Sequence, residues 1–332
     1  MAAKVIALAL MGLVACSEAC IQLYGTAEEG NGKSFTYSYN GLDWPAQFET
    51  CRGSKQSPIL VPASGAAGKA LPAVDAKSHF NYGQVKNPTI VNTGHTLQVA
   101  LPADFQSDVN IPIRGDKNSA VPTSIISGGS DSVTDRVKAI PAQFHFHTHS
   151  EHVVAGAEYA MEMHIVHFVK SDQLPACADP GCPVVLGVML AQTDDESKVS
   201  PELRKIIDAM PLYQGKTNTI EGTVDLGALL PQNRTYVTYE GSLTTPPCSE
   251  GLLWHVMLEP IRITPSLLTR YQEAVGDRNC DTTPEEAKKL EAAAEYFKVP
   301  PANDEGCRKI ANGHNWRITQ PLNGRPLQLA TV

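Results

Sequence analysis

Histidine and phenylalanine alternate in residues 142–147 (AQFHFH), and this pattern leaves few structures open to the segment. A period of two is the period of a β-strand, so His145 and His147 share one face while Phe144 and Phe146 share the other. The two imidazoles then lie about 7 Å apart along the strand. Such a strand separates a polar site on one face from an apolar core on the other.

A second histidine-rich segment, EMHIVH, follows at residues 162–167. If it forms a neighbouring strand, His164, with Glu162 on the same face, brings a third nitrogen to the pair formed by His145 and His147. Three neutral imidazoles and one open position are the ligand set of catalytic zinc, whose bound water has a pKa near 7. The sequence therefore predicts a zinc site.

The other histidines of this region have different expected roles. His149 shares the parity of the predicted ligands, but it falls where turn residues begin, so a position facing solvent is expected. His167 points to the opposite face of a regular strand. We interpret His167 and His152 as buried, hydrogen-bonded structural residues.

An alternative interpretation is a cupin-type metal site, because His145, His147 and Glu151 fit its H-x-H-x(3)-E spacing. That site would hold iron or manganese, with Glu151 as a ligand. The glycine that such a motif needs after its glutamate is absent, and Glu158 stands at the expected place.

The rest of the chain predicts a mainly β fold. Glycine (25) and proline (24) are frequent among the 332 residues, which favours turns over long helices. Strands are expected at Thr89–Asn92, His95–Leu101, Ala142–His147, Glu162–Val169, Val184–Gln192, Thr235–Tyr239 and Leu252–Leu258, and helices at Pro201–Ala209, Ser266–Val275 and Thr283–Phe297. No linker or repeat divides the chain, so we expect a single domain with a large, mostly antiparallel twisted sheet and short peripheral helices.

The formal net charge of −8 makes nucleic acid and anionic membranes improbable partners. Residues 1–19 have the layout of a secretory signal: Lys4, an apolar run, and small residues before a cleavage site at Ala19. The run is too short to span a membrane. A lipid-attachment pattern ending at Cys16 is the minor alternative. We expect a secreted or periplasmic protein whose mature part, residues 20–332, has no membrane span.

Seven cysteines remain after this cleavage, and their wide scatter fits structural disulfides. Because seven is odd, one thiol stays free or pairs with another chain. Cys20, beside the new terminus, is the candidate for a disulfide-linked homo-oligomer. Asn233 is the acceptor of an N-x-T glycosylation motif.

Several motifs, in one order along the chain, resemble the α-class carbonic anhydrases. They are Gln56-Ser57-Pro58, QFHFH, SEH, EMHIVH, the run GSLTTPP at 241–247, Asn315-Trp316-Arg317 and Gln320-Pro321-Leu322. They cover nearly the whole mature chain. The continuation CSEGLLW at 248–254 and the insertions, including a helical one at about 276–311, are most similar to the secreted, periplasmic green-algal members.

The resemblance implies a zinc enzyme that interconverts carbon dioxide and bicarbonate, in which zinc-bound hydroxide is the nucleophile. His145, His147 and His164 match the zinc ligands. The residues that hold these ligands are matched by Gln143, Glu162 and the Asn315 carbonyl. Thr244 and Glu151 match the pair that orients the hydroxide, and His95 matches the histidine that shuttles the proton.

The resemblance also implies an apolar carbon dioxide pocket, matched by Val166, Val185, Leu243, Leu252 and Trp254, with Thr245 at its mouth. Tyr39 matches the tyrosine of the proton-transfer water network, although Tyr37 is close enough to leave the register open. The cysteine pair of secreted members is matched by Cys51 and Cys248. Cys177 with Cys182 and Cys280 with Cys307 are further expected pairs. A catalytically silent binding module of the same fold is the alternative function.

Overall fold

The computed structural model describes residues 35–63, 70–114, 133–175, 177, 181–212, 214–275, 278–279, 308–309 and 313–331. Four sequence-based predictions lie outside these residues: the signal segment with Cys16, the thiol of Cys20, the pairing of Cys280 with Cys307, and the helix at Thr283–Phe297.

The described residues form two α-helices, α1 (Pro201–Asp208) and α2 (Pro265–Ala274), and eighteen strands. The strands are β1 (Leu60–Val61), β2 (His79–Tyr82), β3 (Gln84–Lys86), β4 (Thr89–Asn92), β5 (Leu97–Ala100), β6 (Ser107–Arg114), β7 (Val133–His147), β8 (Val153–Val154), β9 (Met161–Val169), β10 (Cys182–Gln192), β11 (Thr217–Thr219), β12 (Thr223–Asp225), β13 (Tyr236–Ser242), β14 (Glu250–Met257), β15 (Ile261–Ile263), β16 (Arg278–Asn279), β17 (Arg308–Lys309) and β18 (Gln328–Ala330). All seven predicted strands and the two predicted helices that fall within the described residues are present, and all but the strand Thr89–Asn92 have ends that differ from the prediction.

Twelve strands form one central sheet, with the order β11-β4-β5-β7-β9-β10-β14-β13-β18 along its main path. Most neighbours are antiparallel, as predicted, but β10 pairs in parallel with β14 and β15. The sheet is therefore mixed. The long strand β7 also pairs with β6, which the sequence patterns missed together with the first half of β7.

The central sheet divides the hydrophobic interior in two. Phe144, Phe146 and Ile165 belong to the larger cluster on one face, which α1 and α2 cover. Val166 and Trp254 belong to a smaller cluster on the other face, the face that carries the histidines of β7. The alternation in β7 thus places imidazoles and phenyl rings on opposite sides, as the period of two predicts.

Two disulfides join described cysteines, and both were expected. Cys51 bonds to Cys248 across a sequence separation of 197 residues, and Cys177 bonds to Cys182. Both Cys51 and Cys248 are buried. Because Cys248 ends the loop that follows β13, the bond ties the loop containing Thr244 to the N-terminal part of the described chain. None of the described helices is long and apolar enough to cross a membrane.

A buried polar cluster lies on the larger-core side of the sheet. The Nε2 atom of His255 is 2.8 Å from Ser78 Oγ, and the Ser78 amide donates to the Tyr236 hydroxyl at 2.7 Å. His167 lies nearby and contacts the Tyr82 hydroxyl at 2.8 Å, so it is buried and hydrogen-bonded as predicted. Burial, together with the neighbouring His167, lowers the pKa of His255 to about 3.

This cluster makes the fold sensitive to acid. An unfolded histidine has a pKa of about 6.5, so below that pH the unfolded state binds a proton that folded His255 resists. The stability contributed by neutral His255 is complete above pH 6.5 and falls as the pH drops toward 3. Between pH 7 and pH 5 the loss from this residue is about 2 kcal/mol.

Urea unfolding of the His255→Gln variant at pH 7 and pH 5 tests this expectation. The variant should lose about 2 kcal/mol less than the wild type between the two pH values. His79→Gln, at an exposed position on β2, is the matched control and should behave as the wild type. An equal loss in all three proteins would contradict the assignment.

Candidate metal centre

Three histidines from β7 and β9 converge on one point. Strand pairing places His145 directly opposite His164, and His147 opposite Glu162. The ring centroids of the three histidines are 4.6 to 5.2 Å apart, and one nitrogen of each lies within 4.8 Å of the others. All three side chains are buried. The structure therefore brings together the three predicted ligands.

Each of the three imidazoles has its other nitrogen held by an oxygen acceptor. The pairs are His145 Nδ1 with Gln143 Oε1 at 2.8 Å, His147 Nδ1 with the Asn315 carbonyl at 2.7 Å, and His164 Nε2 with Glu162 Oε1 at 2.8 Å. Because an oxygen of this kind can only accept, each ring donates its N–H outward and keeps a lone pair on the converging nitrogen. These three acceptors are the residues that the family resemblance implied.

Burial keeps these rings neutral. It lowers the pKa of His145 well below its ordinary value, lowers that of His164, and lowers that of His147 to about 3. The neighbouring imidazoles also lower the pKa values of His145 and His147. Neutral imidazole is the form that binds metal, and three converging neutral nitrogens fit a tetrahedral zinc ion with one open position.

Glu162 is the ionised anchor behind the histidines. Burial raises the pKa of its carboxyl group, but electrostatic interaction with the His152 and His164 rings and their hydrogen bonds outweigh burial and hold the pKa well below its ordinary value. Its Oε2 atom also accepts the backbone N–H groups of Glu151 and His152, both at 2.8 Å. A Cβ at Gly187 would lie 2.8 Å from Glu162 Oε1, so only glycine leaves room for this carboxylate.

Glu151 lies beside the histidines and outside the convergent group. Its Oε2 atom is 3.5 Å from His147 Nε2, and its Oε1 atom accepts the Arg317 backbone N–H at 2.8 Å. Burial raises the pKa of Glu151 well above its ordinary value, although a hydrogen bond with Thr244 and the charge of Arg317 act in the opposite direction. Among the described residues, two groups could hold a metal ion: His145 with His147 and His164, and His152 with Glu162 and His164. Neither group contains Glu151, the ligand that a cupin-type site would need. The geometry therefore favours three histidines.

A cavity opens in front of the three converging nitrogens. Its wall contains all six predicted pocket residues together with Thr244, and its other members include His95 and Thr96. The full lining is Phe35, Tyr37, His95, Thr96, His145, His147, His164, Val166, Val185, Leu243, Thr244, Thr245, Leu252 and Trp254. One side of the cavity is thus apolar, and the other carries hydroxyl and imidazole groups.

His95 lies in the wall of this cavity beneath an aromatic residue that the sequence reasoning missed. The Phe35 ring stacks on the His95 ring at a centroid distance of 4.3 Å and an interplanar angle of 15°. His95 is consequently buried, and burial lowers its pKa to about 4. No sequence pattern signalled Phe35, because the contact joins a loop near the start of the described chain to the turn after β4.

The prediction that Tyr39 lies in the site is wrong. The Tyr39 side chain is 66% exposed, whereas Tyr37 is buried, lines the cavity and has its ring centroid 6.1 Å from that of His95. Tyr37 also packs edge-on against Trp44. The two tyrosines are two residues apart, and only the packing of this loop decides which of them turns inward.

Asn315 connects the metal ligands with the turn that bears His95. Its carbonyl holds His147, its side-chain amide donates to the His95 carbonyl at 2.8 Å, and the same amide lies 3.2 Å from the Tyr271 hydroxyl. The Tyr271 hydroxyl in turn donates to the Phe146 carbonyl. Tyr271, on α2, is a second residue that sequence reasoning missed, since nothing in its helix distinguishes it from a core aromatic.

Comparison with known proteins identifies the relatives of this chain. The family model described as eukaryotic-type carbonic anhydrase matches residues 39–331. A carbonic anhydrase of Klebsiella pneumoniae is 32% identical over 251 residues, which cover 73% of this chain and 85% of the relative.

Two solved structures have the same fold. The carbonic anhydrase Cah3 of Chlamydomonas reinhardtii, in complex with acetazolamide, has a TM-score of 0.59 at 27% identity, covering 91% of this chain and 99% of its own. The α-carbonic anhydrase of Thermovibrio ammonificans, in complex with sulfanilamide, has a TM-score of 0.60 at 27% identity, covering 91% and 100%.

Removal of the Tyr271 hydroxyl should weaken the support of His147. We expect Tyr271→Phe to lose about 1–3 kcal/mol of stability, because Asn315 and the Phe146 carbonyl lose a buried partner. Zinc dissociation measured with a chelator should accelerate, by up to about tenfold. Tyr236→Phe removes a buried hydroxyl from the same larger core, where it accepts the Ser78 amide, and is the matched control. It should lower stability without changing zinc release, and equal release rates in both variants would count against the Tyr271 link.

Proposed function

The chain belongs to the eukaryotic-type carbonic anhydrase family and is a carbonic anhydrase, and from this we propose that it hydrates carbon dioxide at a zinc ion held by His145, His147 and His164. The observation that carries the proposal is the convergence of three neutral, buried imidazole nitrogens, each fixed by an acceptor behind it. Zinc in this place would lower the pKa of a bound water to about 7, chemistry for which carbonic anhydrases are the standard example.

Thr244 and Glu151 orient the nucleophile in this proposal. The Thr244 hydroxyl lines the cavity and hydrogen-bonds to the Glu151 carboxyl group, which the Arg317 backbone N–H holds from behind. A carboxylate accepts the threonine proton, so the Thr244 oxygen is left to accept a hydrogen bond from the cavity. A cation at the three histidines favours the ionised form of Glu151 and so maintains this direction.

The apolar wall of the cavity suits the substrate. Carbon dioxide is neutral and linear and offers little to hydrogen-bond, so a wall of Val166, Val185, Leu243, Leu252 and Trp254 can hold it beside the nucleophile. The Trp254 indole donates to the Ser242 carbonyl at 3.0 Å, which fixes the ring edge-on to His164. Bicarbonate leaves past Thr245 at the mouth.

We further propose a secreted or periplasmic location with the signal segment removed. The two disulfides are compatible with an oxidising compartment, and Asn233 is exposed at the surface, where a glycan can be attached. Both disulfides are within the chain, so a homo-oligomer linked through Cys20 rests on the odd cysteine count alone.

Stopped-flow carbon dioxide hydration, with zinc content measured in parallel, tests the proposal. We expect near-stoichiometric zinc and rapid hydration in the wild type, with both lost in His147→Ala. Thr244→Ala should keep its zinc and lose about 100-fold in kcat/KM, because the nucleophile is no longer oriented. Zinc without hydration in the wild type would instead support the silent binding module.

We also propose that His95 relays the released proton. Phe35 slows this relay, because its ring buries His95 and so keeps the pKa of His95 low. The pKa of His95 is about 4, whereas zinc-bound water has a pKa near 7. The pKa difference of about 3 units makes proton transfer to the ring unfavourable by about 4 kcal/mol. Exposure of the ring would bring its pKa toward 6.5 and nearly remove this difference.

A double-mutant comparison in weak buffer tests the relay. His95→Ala should lower proton-limited turnover, and added imidazole should restore it. Phe35→Ala should raise turnover above the wild type and shift the alkaline limb of the pH profile little, because the zinc ligands are unchanged. The gain should disappear in the Phe35→Ala, His95→Ala double variant. A gain that persists without His95 would refute the restraint.

A further inference from the structure

We propose a second metal site, formed by His149 and His314 and selective for divalent copper among the first-row metals. The two rings have a centroid distance of 4.8 Å and an interplanar angle of 59°. That distance lies within the 4.6 to 5.2 Å range of the three histidines of the candidate metal centre, so the two rings are as close as those that we propose to share the zinc ion.

Hydrogen bonds between Thr148 and Asn315 hold together the two segments that carry these rings. Asn315 donates its amide to the Thr148 carbonyl at 2.9 Å, and the Thr148 amide donates to Asn315 Oδ1 at 2.8 Å. His149 follows Thr148 and His314 precedes Asn315, so these reciprocal bonds fix the segments that carry the two imidazoles. A chelate whose ligands are already positioned loses little entropy when it binds an ion.

The pair is accessible and separate from the cavity. His149 is exposed and His314 is half-buried, whereas the three histidines of the metal centre are fully buried. Neither His149 nor His314 contributes to the cavity wall. Two imidazoles completed by water suit a tetragonal Cu²⁺ ion, which binds nitrogen ligands more strongly than the other divalent first-row metals do.

The proposed copper site lies beside Asn315, whose carbonyl holds His147. An ion that bridges His149 and His314 would join the two segments whose mutual hydrogen bonds position the Asn315 carbonyl. The proposal does not depend on carbon dioxide hydration, since it concerns binding alone.

The fluorescence of Trp316, which lies beside His149, can report copper binding. The Trp316 ring is 5.9 Å from that of His149 and half-buried, whereas Trp44 and Trp254 are fully buried. Copper at the pair should therefore quench mainly Trp316. The quench should be lost in Trp316→Phe while calorimetric copper binding remains.

The test is a titration of the zinc-loaded protein with Cu²⁺, followed by calorimetry, tryptophan fluorescence and electron paramagnetic resonance. We expect one copper per chain in addition to zinc, with nitrogen hyperfine structure from two imidazoles. His149→Gln and His314→Gln should each weaken binding by about 100-fold, because the second imidazole no longer acts at high effective concentration. His79→Gln, an exposed histidine on β2, is the control and should bind as the wild type.

Two results would overturn the proposal. Copper affinity that is unchanged in His149→Gln would place the ion elsewhere. Copper that enters only as zinc leaves would mean that copper binds at the three histidines of the proposed zinc site and not at His149 and His314. Zinc content and thermal unfolding of each variant, measured before the titration, show whether the metal centre and the fold are intact.

Discussion

The pairing of β7 with β9 in a single register is the constraint on which the rest of the site depends. It sets His145 opposite His164 and His147 opposite Glu162, so three imidazoles and their anchoring carboxylate share one face. A slip by one residue would turn the phenylalanines toward the cavity and the histidines into the larger core. That slip would bury imidazoles without partners and expose phenyl rings, and both changes are unfavourable. The register is therefore fixed by both faces of the sheet together.

Burial of the three histidines and of Glu162 determines which of these side chains are charged. Burial keeps the imidazoles neutral, whereas interactions with His152 and His164 keep buried Glu162 ionised. The acceptors Gln143, Glu162 and the Asn315 carbonyl orient the rings before any ion binds. A ligand set arranged in this way binds an ion without reorganising, which is the physical basis of second-layer support in metal sites.

Asn315 makes contacts with several separate parts of the site. It contacts His147, Thr148, the carbonyl of His95 and the hydroxyl of Tyr271, and its neighbour His314 lies against His149. The segment that contains it is brought to the sheet by contacts distant in sequence. Arg317, two residues on, is buried and donates to Gln56 and the Ser57 carbonyl. The candidate metal centre, the turn that carries His95 and the proposed copper site consequently share one short segment as support.

The sequence by itself predicted the strand faces and the three converging histidines, because a period of two depends on local spacing. Their oxygen acceptors followed from the family resemblance, since the Asn315 carbonyl is far from His147 along the chain. It also indicated the apolar wall and the two disulfides found among the described residues. Only the tertiary structure decided that Tyr37 and not Tyr39 turns inward, that Phe35 covers His95, and that Tyr271 supports Asn315. The parallel pairing of β10 with β14 was equally invisible in the sequence. These features join residues far apart along the chain, and no local pattern records which distant side chain will fill a given space when the core packs.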